Sequence, residues 1–572
     1  MTIALDGVVL NDANSQGIDL SLLPPALLER ADIYRGTAPV RLGIAGLGGT
    51  IELFTRTPGT NPVAWVSAGY GSFHQRRAST VVTAQARNVR TLIAIGYRGT
   101  QGNFPFYDDR GTDLWTGDDR ISVRTNNSGN ALDALFRGCV GPLHTGACVL
   151  LTTTWRRRGM PGPGSQQFEH PSLSQARWLG RGSYRARIGT GWIEGYASLI
   201  ARTDRFLDPS ATVVPGLIID ARSGGLATET GIHGELRTAD VRLEPVLRAR
   251  YEWFHTEGAL GGILSAQRTS ILAGTDVTLT HRTVQVAPAL ALEAMRDQAL
   301  STTDNEVLRM LISPRLGARI EVRPGFELRG NVSHLERAPT LPELFGVAYF
   351  LLGNPALVPE TSDNLDAGVV GHWRTHGWQF RLEGAAFARN ARNLIVLERR
   401  GVLSLKPFNL RRADIAGFEA IARLSHRGRW GLTVSYAHTQ ALTRAPGTPA
   451  DGRWVPSIPA HDLFARLEAT LGPLQAWSDL SFVSGIYFDQ ANQTAAPPRL
   501  LLSAAVSFTL PFARALTATL MGTNLLDQRD AVVTVHRGDT YDIRQPIADF
   551  AGYPLPGRAV FVSMTVATES RQ

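Results

Sequence analysis

From about residue 58 onward, apolar residues alternate with polar or small residues in segments of roughly ten residues. Such alternation predicts strands with one apolar face and one polar face, and the 3.6-residue period of an amphipathic helix is nearly absent. In the first of these segments the apolar or small face consists of Ala64, Val66, Ala68 and Tyr70. The pattern therefore predicts an all-β protein.

The connections between these segments alternate in length. Short turns are predicted at 87–90, 189–191, 321–325, 426–430, 471–474 and 511–515. Long loops are predicted at 100–130, 157–175, 207–230, 337–360, 443–456, 489–498 and 529–556. Short turns on one side and long loops on the other are typical of an outer-membrane barrel, with the short turns in the periplasm. Following the chain hairpin by hairpin predicts a closed antiparallel barrel of about 22 strands.

Composition agrees with a membrane barrel. The mean hydropathy is −0.07, as expected for a wall that alternates apolar and polar residues. The formal charge is +8, and Lys406 is the only lysine, so arginine supplies nearly all the positive charge. Two interpretations stay open: a GC-rich genome, or outward arginines that bind lipopolysaccharide phosphates. No motif of a nucleic-acid-binding fold accompanies the charge, and nucleic acid is not an expected partner.

The chain before the barrel contains a long, ordered series of short motifs. Residues 5–58 read LDGVVLNDANSQGIDLSLLPPALLERADIYRGTAPVRLGIAGLGGTIELFTRTP. This segment resembles the second half of the plug domain of TonB-dependent outer-membrane receptors. The matching positions are Asp6-Gly7, Leu10-Asn11, Leu23-Pro24, Glu29-Arg30, Arg35-Gly36, Gly43, Ala45, Gly48-Gly49, Ile51 and Thr55-Arg56.

Further segments that resemble this family occur in the barrel. They are LERAPTLPELFG from Leu335, GNPALVPETSDNLDAGV from Gly353, NLRRADIAGFEA from Asn409, MGTNLLDQRD from Met521 and YPLPGRAVFVSMTV from Tyr553. The resemblance implies an all-β membrane protein in which residues 1–57, part of a plug, lie inside a transmembrane barrel of residues 58–572. It also implies a monomer in the outer membrane that takes up a small, scarce nutrient, such as siderophore-bound iron or cobalamin, with the TonB complex as partner.

Two features depart from the family pattern. Residues 1–30 show no signal peptide, and the first half of the plug, with its TonB-contacting segment, lies outside the chain. A polar tail, 568–572, takes the place of a terminal aromatic residue. We therefore expect a receptor that is incomplete as written, with unpaired strand edges at Ile33–Arg35 and Ile51–Thr55. The alternatives are a passive pore and a non-transporting surface protein or gene remnant.

The resemblance implies ionic contacts between plug and wall. Family plugs carry arginines that dock onto carboxylates of the barrel wall, and Arg35 and Arg56 occupy the plug positions. Asp366 and Glu419 occupy the wall positions, although Asp366 is shorter than the usual glutamate. The alternative is four independent charges, which are normal in a polar barrel interior.

Nutrient binding is expected in the extracellular loops and at the plug apex, residues 37–47. Aromatic residues in these loops could stack on a ligand, although aromatics near strand ends also form girdles at the lipid interface. The candidates are Tyr107, Trp115, Tyr349, Phe350 and Tyr541.

The loop YDDRGTDLWTGDD, from Tyr107, is rich in carboxylates. Asp108, Asp109 and Asp113 are candidate calcium ligands, because oxygen ligands on a flexible loop suit this ion. Their spacing is not that of an EF-hand, so a solvated acidic loop is the alternative.

Cys139 and Cys148 are the only cysteines, and they flank a predicted turn. Cysteines at this spacing can face each other across a hairpin, so a disulfide is predicted near the periplasm, with two free thiols as the alternative.

Catalytic and cofactor motifs are not evident. The sequence contains no GxSxG, HExxH or P-loop motif and no GxGxxG in a βαβ setting. We expect neither an enzyme nor a cofactor.

Overall fold

The fold is described from a computed structural model. The described residues are 2–11, 27–43, 48–58, 62–112, 114–142, 145–258, 262–300, 306–347, 351–399, 405–510, 515–537, 539–550 and 552–568. Within these ranges, one short α-helix, α1 (Leu341–Phe345), is present, and no helix is long and apolar enough to cross a membrane.

A small sheet precedes the barrel. Its strands are β1 (Thr2–Leu5), β2 (Val8–Val9), β3 (Leu28–Tyr34) and β4 (Thr50–Thr55), in the spatial order β2-β1-β4-β3. β1 and β2 form a hairpin across Asp6 and Gly7, which have φ values of 47° and 80°, as a tight two-residue turn requires.

The expected unpaired strand edge at Ile51–Thr55 is wrong. β4 lies between two neighbours, because it pairs parallel with β1 and antiparallel with β3. Strand β1, which belongs to the same small sheet, thus supplies the second partner of β4. β3 has one partner among the described residues, and Ile33 on this strand is 66% exposed.

The remaining strands follow in chain order. They are β5 (Val63–Gly71), β6 (Gln75–Ala86), β7 (Val89–Thr100), β8 (Pro105–Asp108), β9 (Arg120–Val123), β10 (Gly129–Val140), β11 (Gly146–Gly159), β12 (Ser172–Ile188), β13 (Gly191–Asp208), β14 (Ile219–Arg237), β15 (Val241–Gly258), β16 (Gly262–His281), β17 (Val284–Ala299), β18 (Glu306–Arg323), β19 (Phe326–Arg337), β20 (Gly346–Val347), β21 (Leu351–Leu352), β22 (Glu360–Thr375), β23 (Trp378–Arg399), β24 (Leu405–His426), β25 (Trp430–Thr443), β26 (His461–Leu471), β27 (Leu474–Ser484), β28 (Arg499–Thr509), β29 (Leu516–Thr523), β30 (Asp530–Arg537), β31 (Asp539–Pro546), β32 (Ala548–Phe550), β33 (Tyr553–Pro554) and β34 (Ala559–Ala567).

The predicted barrel is confirmed. Twenty-two of the described strands form one closed antiparallel wall, namely β5–β34 without the short strands β8, β9, β20, β21 and β30–β33. The last strand, β34, pairs with β5, and this seam closes the sheet. Closure leaves no strand edge facing lipid, where no water could satisfy the backbone polar groups.

Several strands extend beyond the loop boundaries predicted from sequence. β14 begins at Ile219, so half of the loop expected at 207–230 belongs to this strand. Ile219 and Ala221 are buried against Phe206 of the neighbouring strand. This apolar cluster extends the hairpin β13–β14 beyond the point where the turn-forming residues had indicated a loop.

The two faces of the wall differ as the alternation predicts. On β7, Ile93 and Ile95 are exposed on the outer face, whereas Leu92 and Ala94 are buried on the inner face. The inner residues join an apolar cluster with Ile3, Leu5, Val8, Leu10 and Leu53 of the small sheet. The small sheet, which we call the plug, therefore lies inside the barrel.

Glycine at the seam allows β34 to approach β5. A Cβ atom on Gly71 would lie 2.5 Å from the Val560 carbonyl oxygen and 2.6 Å from the Phe561 ring. We expect Gly71→Ala to destabilise the closed barrel by about 1–3 kcal/mol through overpacking. Gly182→Ala is the matched control, because a Cβ there has no neighbour within 4 Å. Heat-dependent electrophoretic mobility of the folded barrel measures the effect, and equal stability of the two variants would contradict it.

Candidate functional site

Arginines of the barrel wall donate hydrogen bonds to backbone carbonyl oxygens of the plug. Arg177 donates to Leu10 at 2.7 Å, Arg250 to Val9 at 3.3 Å and to Asn11 at 3.4 Å, Arg389 to Arg35 at 2.9 Å, and Arg315 to Ala38. The plug segments outside its sheet have carbonyl groups that neighbouring plug strands do not pair, and buried carbonyl groups need a donor. Side chains of the wall thus complete the hydrogen bonding of the plug.

The segment around Val40 is held most fully. Asp276 accepts a hydrogen bond from the Val40 amide at 2.7 Å, and Arg315 lies 3.4 Å from the same carboxylate. The Val40 side chain is fully buried and packs on Val246 and Leu272 of the wall. Polar and apolar contacts therefore fix residues 38–42 against strands β15–β18.

Two of the four predicted ionic residues are in contact. Arg35 of the plug lies 2.7 Å from Glu419 of β24. The Arg35 side chain is about half exposed, so the pair contributes at most about 1 kcal/mol. Asp366 accepts a hydrogen bond from Asn331 at 2.7 Å and faces Gly36, whose added Cβ would lie 3.2 Å from its carboxylate.

Arg56, the second predicted plug arginine, lies over the ring of Trp65 on β5, with 5.9 Å between the guanidinium and the ring centre. Its neighbour Thr55 accepts a hydrogen bond from Arg137 of β10 at 3.1 Å. Arg137 also lies 3.6 Å from Asp6. Burial raises the pKa of the Asp6 carboxyl, and the charge of Arg137 opposes this effect. The wall therefore reaches this end of the plug through Arg137.

A belt of buried ion pairs lines the wall between β12 and β18. The pairs are Arg181–Glu194 at 2.7 Å, Arg250–Glu229 at 3.3 Å, Arg250–Glu252 at 2.9 Å, Arg248–Glu293 at 3.7 Å, Arg268–Asp297 at 2.5 Å and Arg309–Asp297. Removing one member would leave a buried charge without its partner, which is strongly destabilising. The belt thus presents a polar surface to the plug with most of its charge neutralised.

Two cavities flank the plug inside the barrel. One, of about 830 Å³, lies between the plug and β10–β15 and is bordered by Asp6, Arg137 and Glu194. The other, of about 780 Å³, lies beside β3 and is bordered by Arg35 and Glu419. The plug therefore fills the lumen incompletely on two sides.

The two cysteines border the first cavity. Cys139 of β10 lies directly opposite Cys148 of β11, with a Cα–Cα distance of 4.2 Å, and a disulfide joins them. They flank the short turn between these strands, on the side of the barrel where short turns indicate the periplasm.

The predicted ligand-binding aromatics differ in exposure. Tyr107 is buried, donates a hydrogen bond to Asp119, and lies under the Arg544 guanidinium at 5.3 Å. Burial and the bond to Asp119 raise the pKa of Tyr107. Tyr541 packs beside a cluster that includes Val533, and Trp115 is 65% exposed. Tyr349 and Phe350 lie outside the described residues.

The acidic loop uses its carboxylates internally. Asp108 is buried and accepts hydrogen bonds from the Arg110 amide at 3.0 Å and from Ser122 at 2.7 Å. Asp109 accepts one from the Gly111 amide at 3.0 Å. Asp113 lies outside the described residues, and within them no group of three metal-binding side chains is close enough to hold an ion. A calcium site at this loop stays a prediction.

Wall residues that contact the plug were missed by sequence reasoning. Arg177, Arg250 and Arg315 are ordinary inward arginines within alternating strands, and the sequence holds many of these. The alternation of inward and outward residues along each strand could have placed these arginines on the inner face. It could not have shown which carbonyl group of the plug each arginine faces.

Two family models match the chain. The model described as TonB dependent receptor-like, beta-barrel matches residues 30–525. The model described as TonB-dependent Receptor Plug Domain matches residues 1–50.

Solved structures share the fold at low identity. The copper transporter OprC is 14% identical with a TM-score of 0.76, over 99% of this chain and 90% of that one. The FrpB iron transporter from Neisseria meningitidis is 12% identical with a TM-score of 0.75, over 99% and 91%. The siderophore receptor PiuA from Acinetobacter baumannii is 11% identical with a TM-score of 0.73, over 99% and 89%.

Loss of one wall donor should loosen the plug locally. We expect Arg315→Met to raise amide hydrogen exchange across residues 38–43 roughly tenfold, because the buried Ala38 carbonyl loses its donor. Arg319→Met is the matched control, since Arg319 lies four residues further along β18 and binds Glu327. Unchanged exchange in the Arg315 variant would show that its bond does not hold the plug.

Proposed function

Because this chain belongs to the TonB-dependent receptor family of the outer membrane, we propose that it takes up a small, scarce nutrient such as siderophore-bound iron or cobalamin. Family membership makes it a receptor or transporter and not an enzyme. Uptake would require at least part of the plug to be displaced, because its sheet lies within the closed wall.

The observation that carries this proposal is the uneven attachment of the plug. The hairpin β1–β2 packs through Ile3, Leu5 and Val8 into an apolar cluster with the wall. Arg35, just after β3, is held by one hydrogen bond from Arg389 and one half-exposed ion pair with Glu419, whereas residues 38–42 are fixed by both polar and apolar contacts. A polar, partly hydrated contact has little apolar area to lose on separation. The contact at Arg35 should therefore separate from the wall before the apolar contacts do.

Force would come from the TonB complex, as the family implies. Displacement of β3 and residues 35–36 would join the cavity beside β3 to the space above the plug. Arg35, Arg389 and Glu419 border that cavity, so a polar nutrient would cross a polar, charged surface. No bond of the nutrient needs to break.

Nutrient capture is proposed at the extracellular loops. Trp115 is 65% exposed in the long loop between β7 and β10, and its ring is available for stacking. Tyr107, in the same loop, is buried under Arg544 and is better placed to hold the loop in shape. A binding surface formed by exposed aromatics on fixed loops suits a small ligand with an extended ring or chelate face.

An uptake assay tests the proposal. The chain is expressed with an export signal in cells that lack their own receptors, and accumulation of labelled iron-siderophores and of cobalamin is measured with and without TonB. We expect TonB-dependent accumulation of one ligand class. Accumulation of none, or accumulation that is equal without TonB, would contradict energised uptake, and the latter result would favour a passive pore.

The ionic contact should restrict leakage through the barrel. We expect Arg35→Ala and Glu419→Ala each to raise single-channel conductance in planar bilayers, because each removes the pair that holds the plug at β24. The double variant should add little to either single variant, as expected for one shared contact. Arg381→Ala is the control, since Arg381 borders the same cavity but binds Glu383 of the wall. Unaltered conductance in both single variants would show that the pair does not close the lumen.

Trp115 should contribute to ligand affinity. We expect Trp115→Ala to weaken binding of the accumulated ligand by roughly tenfold through loss of stacking area. Leu114→Ala is the matched control, because Leu114 is a similarly exposed apolar neighbour. Equal affinities for the two variants would place the binding surface elsewhere.

A further inference from the structure

The cavity of about 830 Å³ between the plug and β10–β15 has a surplus of positive charge. Among the described residues, five arginines but four carboxylates border it. One carboxylate, Glu244, binds Arg242 of β15, which does not belong to this lining. The other three each have an arginine partner in the lining, and the contacts are Arg41–Glu52 at 2.7 Å, Arg137–Asp6 at 3.6 Å and Arg181–Glu194 at 2.7 Å. At least one positive charge of the lining is therefore not balanced.

Arg181 of β12 has a donor atom that these pairs leave unused. Its side chain is 9% exposed, and its Nη2 atom donates to Glu194 at 2.7 Å. Arg185 donates to the other oxygen of this carboxylate at 2.8 Å, so two guanidinium groups share one negative charge. The buried Nη1 atom of Arg181 has no hydrogen-bond partner in the part of the chain that the structure describes. A buried charged donor without an acceptor is costly, so we expect this atom to meet an acceptor from outside the chain.

Gly7, in the turn between β1 and β2, leaves room for that acceptor. A Cβ atom on Gly7 would lie 3.8 Å from Nη1 of Arg181 and 3.9 Å from Nη1 of Arg41. These are ordinary contact distances, so a small group fits at this point between two guanidinium groups. Arg41 is held in place by Glu52, which accepts hydrogen bonds from both of its terminal nitrogens at 2.7 Å. Each terminal nitrogen carries two hydrogens, and Nη1 of Arg41 therefore keeps one for a second acceptor.

The cavity lies toward the periplasmic side of the barrel. Pro142 and Gly146, in and beside the short turn between β10 and β11, border it, and short turns indicate the periplasm. Arg90 donates hydrogen bonds to the carbonyl oxygens of Gly141 at 3.3 Å and Pro142 at 3.2 Å, which fixes this turn beside the cavity. A ligand of the cavity would therefore come from the periplasm, on the side opposite the extracellular loops.

We propose that Arg181 and Arg41 bind a small oxyanion, a phosphate or a carboxylate, in the space beside Gly7. Guanidinium groups match the oxygens of both kinds of anion, and one anion balances the positive charge that the lining leaves over. Because Arg41 and Gly7 belong to the plug and Arg181 to the wall, the bound anion links the two. The site does not depend on which nutrient the receptor carries.

Hydrogen exchange of the purified chain in detergent tests the proposal, with inorganic phosphate and succinate as probes and sodium chloride at equal ionic strength as the reference. We expect phosphate or succinate to slow amide exchange across residues 6–10 roughly tenfold at ten times its dissociation constant, because opening of this segment releases the anion. R181Q should raise the concentration needed for this effect roughly tenfold or more. The probe that acts at the lower concentration identifies the bound group as a phosphate or a carboxylate.

The control is R185Q, which removes the same charge from the same cavity. Arg185 binds Glu194 through Nε at 2.8 Å and through Nη2 at 2.7 Å, and we expect R185Q to respond to the probes at nearly the concentrations that the unmodified chain requires. The proposal is overturned if R181Q and R185Q respond equally or if neither probe slows exchange. It is also overturned if sodium chloride protects the segment as well as the probes do, since screening of charge would then explain the effect.

Gly7 allows a second test that keeps both arginines. Gly7→Asp supplies a carboxylate of the chain itself between Arg181 and Arg41, and aspartate and asparagine both tolerate the φ of 80° at this position. We expect Gly7→Asp to slow exchange across residues 6–10 without any probe, whereas Gly7→Asn, which has the same shape without the charge, should not. Heat-dependent mobility checks assembly of each variant. If R181Q does not assemble, this comparison decides, and equal exchange in the two Gly7 variants overturns the proposal.

Discussion

Hydrogen bonds from wall arginines to the plug backbone are the interaction on which the inside of this barrel depends. A plug segment without regular structure cannot satisfy its own carbonyl groups, and a buried carbonyl without a donor is costly. Arg177, Arg250, Arg315 and Arg389 supply those donors. Arginine suits the task because it stays charged and its donors fan out in a rigid plane.

The attachment of the plug is uneven, and this unevenness connects structure to function. Its β1–β2 hairpin and its Val40 segment pack on the wall through apolar side chains, whereas Arg35 is held by polar contacts. Apolar burial scales with area and resists separation throughout, while hydrogen bonds to partly wet groups can be exchanged for water.

The same residue type serves three purposes at different positions of the wall. Inward arginines near the plug donate to its backbone, those in the belt neutralise glutamate and aspartate, and outward arginines such as Arg412 and Arg444 share the carboxylate of Asp414. Position in the wall, rather than residue identity, decides the role.

The sequence by itself determined the barrel, its strand number and the plug, because side-chain alternation and turn length act locally along each hairpin. Only the tertiary structure placed β4 between β1 and β3, extended β14 to Ile219, and set Arg315 opposite Ala38. It also placed Arg35 beside Glu419, and it placed Asp366 where it accepts a hydrogen bond from Asn331. Those contacts join residues up to hundreds of positions apart, and they depend on closure and register, which a one-dimensional pattern of inward arginines does not encode.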